Sequence, residues 1–146
     1  MSNPSSMSTD EQAPVYIPEF IRSVPRHRFV APELQRRTYG SEENSSSGWQ
    51  GTPPDRVVAQ LIQALEIDED SYVLEFGTGL GYTAAVLGRV AERVYTVGRG
   101  ADRRESARDR LQSMGLDNVE VLPSSNYEPR LPDRKFDAIL VSVINA

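Results

Sequence analysis

An α/β protein with a doubly wound parallel sheet is the fold class predicted for this chain of 146 residues. Two patterns predict it. Short apolar runs of strand length alternate with helix-length stretches in which apolar residues recur every three or four positions, the signature of βαβ units. One of those strands runs straight into a glycine-rich turn that opens the next helix, the junction at which such sheets hold ligands. Right-handed crossovers are expected to lay helices over both sheet faces.

The elements follow in order. Residues 1–14, MSNPSSMSTDEQAP, are Ser- and Pro-containing with no apolar run and are expected to be a disordered tail. Residues 15–51 form an N-terminal helical and loop segment. In it Phe20, Ile21, Val24 and Phe29 need cover, while 40–51, GSEENSSSGWQG, reads as a loop with Trp49 as its one large apolar group. Residues 52–146 form the core. There Thr52-Pro53-Pro54-Asp55 reads as a helix start with Thr52 as hydroxyl N-cap, and Val57, Val58, Leu61, Ile62 and Leu65 share one buried face. Strands are expected at Tyr72–Phe76, Val94–Val97, Val119–Leu122 and Phe136–Val143. Helices are expected at Tyr82–Val90 and at Asp102–Met114, the latter closed by Gly115.

Composition removes several function classes. Sixteen basic against 21 acidic residues leave a net charge of −5, which disfavours a general phosphate-backbone binder, so no nucleic-acid partner is expected. No cysteine is present and His27 is the single histidine, so disulfides, thiolate chemistry and a metal centre are not expected. The longest apolar stretch, near Ala138–Ile144, is far short of the roughly 20 residues of a membrane span, and no secretory signal is visible. A cytoplasmic protein with no membrane contact is the expectation. Arg103, Arg104, Arg108 and Arg110, and the N-terminal group Arg22, Arg26, Arg28, Arg36 and Arg37, read as solvated charge with local ion pairs.

The chemistry concentrates at Glu75-Phe76-Gly77-Thr78-Gly79-Leu80-Gly81-Tyr82. Glycines at alternate positions after a strand let the main chain approach a ligand and adopt positive φ. The spacing is one residue shorter than the dinucleotide fingerprint, and a carboxylate two positions before the first glycine favours an amine-bearing ligand over a pyrophosphate. This stretch, with Thr83-Ala84-Ala85-Val86-Leu87 after it, resembles motif I of S-adenosylmethionine-dependent methyltransferases. It is most similar to the protein-L-isoaspartate O-methyltransferases, and Val24-Pro25-Arg26-His27-Arg28-Phe29-Val30 is similar to a second segment of that family. The resemblance covers about residues 24–143. It implies a Rossmann-like fold, S-adenosylmethionine as cofactor, and a protein or peptide carboxylate of isoaspartate type as substrate. Glu75, Phe76, Gly77, Thr78, Gly79 and Gly81 would cradle the cofactor's methionine part.

The chain departs from the family pattern at three places. The acid implied at the end of the second strand, for the ribose hydroxyls, is replaced by Gly98. The Gly-Asp-Gly implied after the third strand is replaced by Ser124-Ser125-Asn126, leaving Ser125 or Asn126 to meet an adenine edge. The substrate-facing segment is reduced to Gly51-Thr52-Pro53-Pro54, leaving Thr52 as its only hydroxyl and the sole catalytic candidate. Two readings stay open: a methyltransferase of this kind, or a catalytically inactive relative serving as a binding or assembly subunit. The family also implies three further strands beyond the fourth, so the sheet is expected to be truncated there. Strand Ala138–Ile144, apolar on both faces, is then expected to be covered by a second copy, a partner subunit or a missing C-terminal half.

Overall fold

A computed structural model describes residues 17–30, 52–124 and 130–142. The tail, the Trp49 loop, Ser125 and the last residues of the fourth strand's expected span lie outside the described residues. Four parallel strands make one sheet in the order β3-β2-β1-β4, with β1 Tyr72–Phe76, β2 Arg93–Gly98, β3 Val119–Pro123 and β4 Ala138–Val141. The registers are regular: Val73 lies beside Val94 and Ala138, and Glu75 beside Thr96 and Leu140. The helices are α1 Glu19–Arg22, α2 Asp55–Leu65, α3 Tyr82–Val90 and α4 Ala101–Ser113, with a 3-10 turn at Arg26–Phe29.

The two sheet faces differ. Alternation along the strands sends Val73, Val94, Val121, Ala138 and Leu140 into a core with Ile21, Phe29, Val58, Tyr82, Val86 and Leu111, so residues of all four helices meet this face. The opposite face gathers Leu74, Tyr95 and Val97 with Tyr72, Phe76, Leu122 and Phe136, and no helical residue joins that cluster. Helices therefore cover one face among the described residues, where both were expected. β4 shows the consequence: Ala138 and Leu140 are buried, whereas Ile139 and Val141 are 54% and 67% exposed. Its apolar pattern is two-sided, but only one side has found cover.

Close approach of α3 to the sheet depends on Gly88, whose added Cβ would stand 2.6 Å from Val119 Cγ2. The far end of α3 is closed from a distance: Asn118 Nδ2 donates to the carbonyls of Gly88 at 2.8 Å and Ala91 at 3.1 Å. Those are carbonyls that helix geometry leaves without partners.

The start of α2 departs from expectation. Its N-cap is Pro54, with no side-chain cap, and the helix begins at Asp55. Consecutive prolines explain the shift, since the residue before a proline is pushed out of the helical region and Pro54 itself sits extended at ψ 151°. Thr52 stands too far upstream to cap. Arginines also behave differently from the solvated expectation. Arg104, Arg108 and Arg110 of α4 donate to the main-chain carbonyls of Gly98, Val121 and Leu80, and Arg26 is buried.

Candidate functional site

β1 delivers Glu75 to the helix-covered side of the sheet, fully buried one residue before the strand ends. After Phe76 the chain turns through Gly77, Gly79 and Gly81 at φ 109°, 52° and 97°, a run of left-handed conformations that L side chains resist. The loop is pinned to β2, because the Gly77 and Thr78 N–H groups both donate to the Val97 carbonyl, and Gly81 N–H closes on the Thr78 carbonyl. The first two of those main-chain donors are thus committed within the protein. Gly81 then forms the N-cap of α3.

Glu75 is the unusual group. Thr96 Oγ1 donates to its Oε1 at 2.7 Å, and Thr78 Oγ1 lies 2.7 Å from Thr96 Oγ1. Since Thr96 spends its one proton on the carboxyl, Thr78 is the donor in the second bond. Glu75 Oε2 has no partner, the only buried side-chain polar atom so placed among the described residues. Desolvation outweighs the Thr96 bond and lifts the carboxyl from an ordinary 4.5 to about 8. A buried acid with one vacant oxygen beside a glycine turn suits a ligand carrying an ammonium group, which would restore the charge pairing that burial removed. The methionine end of S-adenosylmethionine carries such a group, and the residues present fit it. The ribose end lacks the acid, as the sequence indicates: Gly98 closes β2 and exposed Arg99 follows.

A second polar cluster stands at the start of α3. Arg26 gives Nε and Nη2 to Asp55 Oδ1 and Nη1 to Thr52, at 3.0 Å to the hydroxyl and 3.4 Å to the carbonyl. Its guanidinium lies 4.2 Å from the Tyr82 ring centre, and Tyr82 donates to Asp55 Oδ1 at 2.8 Å. Burial, led by desolvation, pushes the Tyr82 hydroxyl well above its usual range, so it stays a donor. Phe29 meets the same ring edge-on at 5.8 Å. The Val24–Val30 segment therefore clamps the exit of the glycine loop to the start of α2. Sequence reasoning placed Arg26 among solvated charges and missed this; the one available signal was its place inside a recurrent family segment. Thr52, the sole catalytic candidate, is buried and engaged by Arg26 rather than presented at the loop. Among the described residues no cluster of His, Cys, Asp or Glu could hold a metal ion, and no helix is long and apolar enough to cross a membrane.

A four-stranded parallel sheet with an acid-headed glycine turn defines the class as a Rossmann-like methyltransferase fold. Among the solved structures that share it are two methyltransferases. One is a protein-L-isoaspartate O-methyltransferase, at TM-score 0.65 and 24% identity over 87% of this chain and 44% of that one. The other is a SAM-dependent methyltransferase from Aquifex aeolicus, at TM-score 0.53 and 27% identity over 61% and 51%. The family model of protein-L-isoaspartate(D-aspartate) O-methyltransferase matches residues 11–146, and the chain belongs to that family. A curated relative, the protein-L-isoaspartate O-methyltransferase of Picosynechococcus sp., is 35% identical over 84% of this chain and 55% of its own length. The chain spans about half the length of the curated relatives it matches.

Proposed function

We propose that this chain binds S-adenosylmethionine at the carboxyl end of β1 and serves methyl transfer to a carboxylate of a protein or peptide, of isoaspartate type. The observation that carries the reading is the buried, unpartnered Glu75 Oε2 at the base of three left-handed glycines. Glu75 would hold the ligand's ammonium group, with Phe76, Gly77, Thr78, Gly79 and Gly81 forming the cradle and Ser125 serving the adenine side. When bound, the cofactor supplies an electrophilic methyl group. A substrate carboxylate is nucleophilic at neutral pH without a base, so this chain's residues act by positioning and by excluding water. Thr52, held by Arg26, is then a positioning group on the substrate side rather than a proton carrier.

Calorimetry with S-adenosylhomocysteine tests the reading. Micromolar binding that vanishes in Gly79→Val, where φ is 52°, supports it. Silence from a folded wild-type chain refutes it and favours the inactive binding subunit. Transfer of a labelled methyl group to an isoaspartyl peptide, giving a base-labile ester, then tests the substrate class. The same reading places the chain in the cytoplasm, without nucleic-acid or membrane partners. Exposed Ile139 and Val141 support cover of β4 by a second copy or a partner subunit. Light scattering checks this: an assembly that Ile139→Lys dissociates is the expected result, and a monomer indifferent to that lysine refutes it.

A further inference from the structure

In doubly wound sheets an acid about 20 residues past the glycine loop, at the end of the second strand, accepts from a ribose 2′-hydroxyl. Gly98 stands at that place here, and its missing side chain has not left a vacancy. A Cβ built on Gly98 would lie 2.8 Å from Thr78 Oγ1 and 2.9 Å from Thr78 Cβ, closer than real Cβ atoms approach. Thr78 is held there by its bond to Thr96, and Thr96 by its bond to buried Glu75. The Gly98 carbonyl is occupied as well, by the Ser124 N–H at 3.0 Å and Arg104 Nη1 at 3.2 Å. Neighbouring Arg99 makes the local charge positive where an acid would make it negative.

We infer that Gly98 and Thr78 form one specificity element that leaves the ribose 2′-hydroxyl of a nucleoside amino-acid ligand without a carboxylate at the end of β2 to read it. Recognition shifts to the Glu75 end, and ligands altered at the ribose are admitted alongside the parent. The inference rests on the cofactor reading above and concerns which part of the ligand is sensed.

The experiment is calorimetry on the full chain with S-adenosylhomocysteine and its 2′-deoxy analogue. The two are expected to bind with dissociation constants within about threefold of each other. A charge-assisted bond to the hydroxyl would instead cost the deoxy analogue about tenfold or more. Parent binding with such a loss overturns this inference alone. Heat from neither ligand, in a chain shown to be folded, overturns the cofactor reading and this inference with it. A ligand-free measurement checks the packing premise. Gly98→Ala is expected to lower Tm by about 5 °C, and the loss in Gly98→Ala with Thr78→Gly is expected to be smaller than the sum of the singles. An unchanged Tm in Gly98→Ala overturns the inference.

Discussion

Replacing Glu75 by glutamine isolates the cost of burying that carboxyl. Folding lifts it from 4.5 to about 8, so the folded protein keeps the proton while the unfolded chain releases it. Stability is therefore fully present below pH 4.5 and falls as pH rises through the window to 8, the reverse of an acid held ionised by a partner. The shift of 8 − 4.5 = 3.5 pH units corresponds to about 5 kcal/mol at its full extent, with no discount for solvent because the group is fully buried. Between about pH 5.5 and pH 8.5 the wild type should lose about 3 kcal/mol relative to Glu75→Gln, which cannot ionise. With a urea slope of about 1.5 kcal/mol/M, the difference in midpoints should change by about 2 M across that interval. Urea titrations of both proteins at the two pH values supply the measurement, and every other titrating group cancels in the difference. Parallel midpoints at both pH values would refute the neutral, buried acid. Added S-adenosylhomocysteine should flatten the contrast, since an ammonium beside Oε2 lowers the carboxyl's pKa toward its unfolded value and proton release accompanies binding.

Three further outcomes are expected. Gly88→Ala would ordinarily stabilise a helix by up to about 1 kcal/mol, but its Cβ would meet Val119 Cγ2 at 2.6 Å; thermal unfolding should show a net loss of about 1–3 kcal/mol, partly relieved by Val119→Ala. Arg26→Met should destabilise by about 2–4 kcal/mol, because Asp55 and Thr52 lose a buried donor, and the half-exposed Asp55 keeps the loss below that of a fully buried pair. Tyr82→Phe, which keeps the ring against Arg26 and Phe29 but drops the bond to Asp55, should cost only about 1 kcal/mol in the same denaturant series.

The order of strands and helices was legible because each element carries its own period: Val57, Val58, Leu61, Ile62 and Leu65 at helical spacing, and compact apolar strands that a parallel sheet buries. The glycine loop was legible because alternate glycines after a strand have few other uses. What escaped the sequence lies in pairings across long separations. Arg26 meets Asp55 from 29 residues away, and no local pattern distinguishes it from solvated Arg22 or Arg28. Thr52 looked like a cap because hydroxyl, proline and acid stood in the right order, yet two prolines in succession delay the helix past its reach. The two-sided apolarity of β4 was visible in the sequence, while which of its faces stays exposed emerged only from the register with β1.

The reach of Asn118 has a bearing on how this domain opens. A side chain from the turn before β3 binds two carbonyls at the end of α3, those of Gly88 and of the C-cap Ala91, so fraying of the last turn of that helix is coupled to release of the start of β3. Two stretches 30 residues apart thereby share one opening event. In hydrogen exchange, the final turn of α3 should hold its amide protons for as long as the first residues of β3 do, rather than fading early as helix ends commonly do.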